Sequence, residues 1–399
     1  MRQATNSPIT VLIVDDSPFM RLTLQKILSQ DPEIKVLDSA RDGREGIEKL
    51  QALNPQVITM DVEMPVMNGL QALDEIMRWK PTPVIILSAV TTEGTEATMK
   101  AFDYGAFDVV AKPSGGAGAD LQALARDLNE KVKGAAQVDP ARLSKKGIIS
   151  RMTIKSSPYT ASQNTAINSS QPSTRLQPQT TGIKGNTTSQ SSIGKNTSTG
   201  MAYPKYPVEI VAIGTSTGGP SALQKVLPQL PANFPVPVVV AQHMPPGFTG
   251  PLAQRLNGLC PLNVREGVHG ELLKAGTIYI APAGKQLQIV RRGGQLQLHI
   301  GDEAPIPTLY HPSVDVMFLS LAKEVGKGTL GVVMTGMGND GQKGMREIKA
   351  LDGFAIAEAE ETCVVYGMPR SIVDAGLADR VVPVSEIGNV IVDCVLKKE

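Results

Sequence analysis

Three apolar, β-branched runs in the second half of the chain each end in residues able to do chemistry. Val208-Glu209-Ile210-Val211-Ala212-Ile213 leads into Gly214-Thr215-Ser216-Thr217-Gly218-Gly219. Val236-Pro237-Val238-Val239-Val240-Ala241 ends in Gln242-His243, and Thr329-Leu330-Gly331-Val332-Val333-Met334 leads into Thr335-Gly336-Met337-Gly338-Asn339-Asp340-Gly341. Such runs read as buried parallel strands, and in an open parallel sheet active sites gather beyond the carboxyl ends of strands. Ser216 lies in a G-x-S-x-G turn ahead of a helix opening near Pro220, which suits a nucleophile beside free helix-start N–H groups. Taken alone, that turn fits a phosphate-cradling loop equally well. A serine, a histidine and an aspartate at three strand ends are instead the parts of a nucleophile, base and orienter.

The base is reached by elimination among four histidines. His299 lies in an alternating hairpin pattern, His269 in a turn, and His311 ahead of a helix start where it could line a cleft. His243 alone directly follows a buried strand. The rival reading of the Gly214 turn, a dinucleotide fingerprint, needs glycine at the third position and an acid after the second strand. The chain has Ser216 and Gln242-His243 there, which favours hydrolysis.

A second collection of polar residues occupies the first 113 positions. Asp15 and Asp16 follow the strand Thr10–Val14, Asp61 follows Val57–Met60, Ser88 follows Val84–Leu87, and Lys112 follows Asp108–Ala111. With Val36–Ala40 these make five strands alternating with helices, a doubly wound α/β domain. Three carboxylates meeting in one crevice repel one another unless a cation joins them, and hard oxygen ligands with open positions suit Mg²⁺. Ser88 could bond an oxygen bound at Asp61, and Lys112 could neutralise a second charge there.

The elements holding these residues fall into three parts: a domain over 8–134, a segment over 135–204, and a domain over 205–399. The middle segment is rich in Ser, Thr, Asn, Gln and Gly. From Pro140 through Val208 the chain holds nine Lys or Arg and no acid. It cannot bury enough apolar surface to offset its ordering entropy and is expected to be a tether, with a short helix over Leu143–Ile149. The last domain should be a mainly parallel sheet with an antiparallel hairpin, Leu287–Val290 and Gln295–Ile300, around Arg291-Arg292-Gly293-Gly294. Of 399 residues 41% are hydrophobic and 19% charged, with a net charge of +1 that gives no reason to invoke nucleic acid. The second domain shows no basic recognition-helix pattern. Three scattered cysteines, no signal-peptide core and no long apolar run point to a cytoplasmic protein that is not inserted in a membrane.

The first domain resembles the receiver domain of bacterial response regulators through Val14-Asp15-Asp16-Ser17, Met60-Asp61-Val62-Glu63-Met64-Pro65 with Asn68-Gly69, Ser88-Ala89 and Ala111-Lys112-Pro113. That resemblance implies a flavodoxin-like fold with Asp61 as phosphoacceptor. It also implies Mg²⁺ held by Asp15, Asp16, Asp61 and the Glu63 carbonyl, and Ser88 and Lys112 as switch residues. Where receivers often carry an aromatic switch residue this chain has Val109. The second domain resembles the catalytic domain of chemotaxis protein-glutamate methylesterases. The likeness rests on Gly214 to Pro220, Ala241-Gln242-His243-Met244-Pro245-Pro246-Gly247-Phe248, Pro312-Ser313-Val314-Asp315, Met334 to Gly341, Ala281-Pro282 and Tyr366-Gly367-Met368-Pro369. It implies a Ser216, His243, Asp340 triad with an oxyanion hole from the backbone N–H groups of Met337 and Thr217, and no metal for ester hydrolysis. Where arginine is expected this chain has His311. Implied partners are methyl-accepting chemoreceptors as substrate and a chemotaxis histidine kinase as phosphodonor. The implied reaction releases methanol from receptor glutamyl esters, with deamidation of receptor glutamines as a companion. The alternative is a phospho-dependent adaptor on receptors without enzymatic activity; the intact triad argues against it.

Overall fold

The computed structural model describes residues 7–113, 118–139 and 202–396. Most of the expected tether, including Leu143–Ile149, lies outside them.

The first domain runs β1 (Ile9–Val14), α1 (Pro18–Leu28), β2 (Ile34–Ala40), α2 (Gly43–Leu53), β3 (Val57–Asp61), α3 (Gly69–Trp79), β4 (Val84–Ser88), α4 (Thr92–Asp103), β5 (Asp108–Ala111) and α5 (Gly118–Ala136). The sheet order is β2-β1-β3-β4-β5, parallel throughout. β3 and β4 are buried along their whole length, which is why both are mainly apolar, β4 with Ser88 at its exit and β3 with Asp61 at its exit and Thr59 within it. Local chemistry starts the helices. The Ser17 hydroxyl accepts from the Met20 N–H, with Pro18 opening α1, and Asp42 caps α2 through the Glu45 N–H at 2.9 Å. Asn68 and Gln71 form a reciprocal box at the start of α3, at 2.9 and 3.1 Å. The order reverses at β1, so the ends of β1 and β3 flank the crevice where ligands collect.

The second domain runs β6 (Ile210–Thr215), α6 (Gly219–Val226), β7 (Val238–Gln242), α7 (Thr249–Asn257), β8 (Asn263–Glu266), β9 (Thr277–Ile280), β10 (Gln286–Arg292), β11 (Gln295–Gly301), α8 (Val314–Glu324), β12 (Thr329–Val333), α9 (Gln342–Ala350), β13 (Phe354–Glu358), α10 (Met368–Asp374), β14 (Arg380–Val382) and α11 (Val384–Leu396). Seven parallel strands stand in the order β14-β13-β12-β6-β7-β9-β8. β10 and β11 form a separate antiparallel hairpin. Its turn is Gly293-Gly294 alone, with φ of +56° and +83°, values that a two-residue turn of this hand needs and glycine adopts freely. Arg291 and Arg292 therefore belong to β10. β12, β6 and β7 lie side by side, so the three chemistry-bearing loops leave one edge of the sheet together.

The two domains touch. α4 packs against α6 and α7, and one apolar core is continuous across both. Arg255 of α7 pairs with Asp103 of α4 at 2.6 Å, and the Ser221 hydroxyl donates to the Phe102 carbonyl at 3.4 Å.

Candidate active site

β6 ends in a turn whose backbone leaves no freedom for another sequence. Gly218 has φ +78°, and a Cβ there would stand 2.6 Å from Cβ of Val364. The Ser216 N–H donates to the Thr335 carbonyl at 3.0 Å. The Ser216 carbonyl accepts from the Gly219 N–H at 2.8 Å and from Nε2 of Gln242 at 2.9 Å. The same Gln242 amide donates to the His243 carbonyl at 2.7 Å. One buried side chain thus ties the serine to the histidine through their main chains. Sequence reading used Gln242 only as evidence against a dinucleotide site and missed this role; its place between strand and histidine was the available signal.

Nε2 of His243 lies 2.7 Å from Oδ2 of Asp340. The Asp340 carboxylate also accepts from the Ser313 hydroxyl at 2.9 Å and from the N–H groups of Val314 and Asp315 at 2.7 and 2.9 Å. It therefore sits at the positive end of α8. Burial pushes its pKa up, but the His243 bond and charge and the two backbone N–H groups prevail and hold it below the ordinary 3.8. An anionic carboxylate only accepts, so the histidine proton is on Nε2. Nδ1 is then the lone-pair nitrogen, and it is buried without a hydrogen-bond partner among the described residues.

The loop after β12 closes on the nucleophile from the other side. A Cβ on Gly336 would lie 2.7 Å from Cβ of Ser216, so only glycine lets this loop come so near. Among the described residues the N–H groups of Thr217 and Met337 carry no hydrogen bond. Free donors on both sides of a serine are what an oxyanion needs. The ring of Tyr310 stacks on that of His243, with centroids 4.1 Å apart and planes inclined by 8°. Exposed His311 lines the cleft, as expected.

The first domain roofs this cleft. A cavity of about 630 Å³ is lined by Ser216, His243 and Met337 below and by Leu124, Arg126 and Lys131 above. Two hydrogen bonds cross it. The Thr217 hydroxyl, next to the serine, donates to Oδ2 of Asp108 at 2.6 Å, and the Tyr310 hydroxyl donates to Oε1 of Glu130 at 3.0 Å. Burial, then the Glu130 charge, pushes the Tyr310 hydroxyl pKa far up, so it remains a donor. None of Asp108, Glu130 and Tyr310 was legible as functional, because only the docking of the domains brings them together.

The other predicted group also converges. Asp15, Asp16 and Asp61 place carboxylate oxygens within 4.8 Å of one another. Nζ of Lys112 lies 2.9 Å from Oδ2 of Asp15 and 2.6 Å from Oδ2 of Asp61. Burial raises the Asp61 pKa, and its acidic neighbours add to this against the opposing Lys112. Burial works to lower the Lys112 pKa, but Asp61 and Asp15 outweigh it and raise it. The Ser88 hydroxyl donates to the Gly94 carbonyl at 3.0 Å, and Glu63 lies exposed on the loop after β3. Val109 is buried in β5 at 1% exposure. Three clustered oxygen donors fit a small hard divalent cation such as Mg²⁺.

Both domains are similar to known proteins. The CheB methylesterase family matches residues 211–391 and the response regulator receiver domain residues 11–124. A protein of Desulfitobacterium hafniense (strain Y51), named protein-glutamate methylesterase/protein-glutamine glutaminase, is 72% identical over 98% of this chain and 99% of its own. The chain belongs to the CheB protein-glutamate methylesterase family. A relative of the same name from Moorella thermoacetica is 43% identical over 97% of this chain and 98% of its own. Among solved structures, the Thermotoga maritima CheB methylesterase catalytic domain is 42% identical, covering 47% of this chain and 99% of that one with a TM-score of 0.46. The T. maritima CheB response regulator domain is 46% identical, covering 33% and 99% with a TM-score of 0.31. Along the chain the receiver match precedes the methylesterase match. No helix among the described residues is long and apolar enough to cross a membrane.

Proposed function

We propose that this CheB-family chain hydrolyses glutamyl methyl esters on the cytoplasmic helices of chemoreceptors under control of phosphorylation at Asp61, and deamidates receptor glutamines by the same chemistry. Its domains are a receiver over 8–134 and a methylesterase over 205–399, joined by the segment 135–204. The observation that carries the catalytic reading is the imidazole of His243, bound through Nε2 to an anionic Asp340 with Nδ1 left free.

Nδ1 takes the Ser216 proton as Oγ attacks the ester carbonyl. The oxyanion that forms is met by the N–H groups of Thr217 and Met337; losing one such donor typically costs ~10²–10³ in rate. Protonated Nδ1 then returns its proton to the departing methoxide, and methanol leaves with the acyl group on Ser216. Water attacks that ester, with Nδ1 again accepting a proton and then returning it to Oγ of Ser216 as the glutamate carboxylate departs. For a glutamine the leaving group is ammonia. Asp340 stays ionised and stabilises the imidazolium.

In the receiver, Asp15, Asp16 and Asp61 with the Glu63 carbonyl would hold Mg²⁺, which neutralises charge while a histidine kinase or small phosphodonor transfers a phosphoryl group to Asp61. Phosphorylation adds about two negative charges beside Lys112. Lys112 follows β5, the strand that Asp108 begins, and α5 carries Glu130. The crossings to Thr217 and Tyr310 therefore support a receiver that covers the site until phosphorylation shifts it away.

The test is the initial rate of methanol release from membranes bearing methylated receptors, with and without a small phosphodonor and Mg²⁺. Release that rises with the phosphodonor is expected. Receptor binding without any methanol would instead establish the adaptor reading.

A further inference from the structure

Glu358 closes β13 and is 1% exposed, and nothing in the hydrolytic steps above uses it. Register places it. Val333 of β12 pairs with Ala357, so Glu358 stands beside the point where the chain leaves β12 for the loop that presents Met337. Its Oε2 accepts from the Thr335 N–H at 2.8 Å, and its Oε1 from the Thr362 hydroxyl at 3.0 Å.

Thr335 is the junction of the site. Its carbonyl accepts from the Ser216 N–H at 3.0 Å and from the Thr215 hydroxyl at 3.1 Å. Its own hydroxyl donates to the Thr217 carbonyl at 2.9 Å and accepts from the Val365 N–H at 3.0 Å. Three of these bonds reach residues 215–217, and the loop from Thr335 reaches Met337 two residues later. The separation between nucleophile and oxyanion donor is therefore set through this threonine.

A carboxylate removed from water is costly unless its bonds repay it. Among the described residues Glu358 has no ion-pair partner within 4 Å; Lys225 of α6 acts on it only at longer range. The Thr335 N–H and the Thr362 hydroxyl hold its carboxylate, Cys363 also hydrogen-bonds it, and the Thr335 bond leads directly to the reacting groups.

We propose that Glu358 is a positioning residue for ester hydrolysis, fixing Thr335 so that Ser216 and the Met337 N–H are held at the spacing the oxyanion requires. The proposal rests on the esterase reading. Displacement of such a group by about an ångström costs on the order of 10² in rate, and the cost falls on kcat because substrate binding is untouched.

The experiment uses the full chain and two readouts. One is methanol-release kinetics on methylated receptor membranes; the other is the rate at which a small fluorophosphonate labels Ser216. Glu358→Ala should lower kcat ~10²-fold and slow labelling in parallel, with KM within about threefold. Glu358→Gln, which keeps an acceptor oxygen, should restore both to within about threefold of the parent. Wild-type kcat in Glu358→Ala, or equal losses in the alanine and glutamine variants, would overturn the proposal. If Glu358→Ala does not fold, Thr335→Val removes the hydroxyl bonds to the Thr217 carbonyl and the Val365 N–H together; kcat should fall ~10-fold at constant KM, and an unchanged kcat is the overturning result. A parent that labels with fluorophosphonate but releases no methanol from receptors sinks the substrate assignment instead, while the labelling rates still judge Glu358.

Discussion

The receiver site and the esterase site occupy the same place in the same kind of sheet, beyond the ends of parallel strands, and are made of opposite materials. Around Asp61 stand two more carboxylates and one ammonium, so charge is gathered with little backbone to hold it. Around Ser216 the one ionised member, Asp340, is met by a hydroxyl, two backbone N–H groups and an imidazole. A site whose task is to change its charge keeps strong, competing electrostatic terms that a new group can rebalance. A site whose task is to meet a short-lived oxyanion is fixed beforehand, with its donors already aimed.

The largest effect should come from the fixed site. Ser216→Ala is expected to lower methanol release by ~10⁴ or more while the far-ultraviolet circular dichroism stays unchanged, since triad members act as a unit. A loss below tenfold would show that the prearranged group is not the reactive one. The next test belongs to the charged site. Asp61→Asn should bring the rate with phosphodonor and Mg²⁺ down to the rate without them; a surviving stimulation would mean that the receiver responds through some other group. Third come the crossings between the two. Asp108→Asn and Glu130→Gln should each raise the unstimulated rate several-fold, as hydrogen bonds to charged groups are worth ~1.5–3 kcal/mol and part of that is recovered from solvent. A lower unstimulated rate would make these contacts activating rather than restraining.

Two smaller predictions concern stability. Burial pushes the Glu358 pKa from 4.5 up to about 6. The folded state then binds this proton more tightly than the unfolded chain does. The resulting stabilisation is complete below pH 4.5 and is lost as pH rises through about 6, a change of about 2 kcal/mol. Glu358→Gln should flatten that part of the pH–stability curve measured by urea unfolding, and an unchanged slope would assign the dependence elsewhere. Smallest is Asn68→Ala. Breaking the reciprocal cap on α3 should cost about 1 kcal/mol in receiver unfolding while leaving labelling of Ser216 by fluorophosphonate unchanged.

How much of this was legible in sequence follows the same division. Strands buried on both faces announce themselves as apolar runs, so β1, β3, β4, β6, β7 and β12 and their terminal Asp61, Ser88, His243 and Asp340 could be read directly. β8 and β14 could not. Asn263-Val264-Arg265-Glu266 and Arg380-Val381-Val382 are short, polar edge strands with no period to detect. Residues that touch the reacting groups have distinctive types. Those that hold them in place do not: Gln242, Thr335 and Glu358 act through main-chain partners up to about 120 positions away, and Ser313 through the Asp340 carboxylate, so their meaning exists only after folding. The Ser88 hydroxyl stands at the strand end where it was expected, and in this arrangement it donates to the Gly94 carbonyl.

With Asp340 occupying Nε2, the proposed proton transfer would fall to the ring nitrogen nearer the main chain. Nδ1 is one bond from Cγ, and its lever arm about the side-chain torsions is shorter than that of Nε2. A given angular wobble therefore sweeps it through a smaller arc. The His243 main chain at its root is pinned by its N–H to Thr215, at 3.0 Å, and by its carbonyl to Gln242, at 2.7 Å. The working atom thus inherits the steadiness of the sheet itself, and tilting of the Tyr310 plate above it should disturb aim far less than it disturbs access.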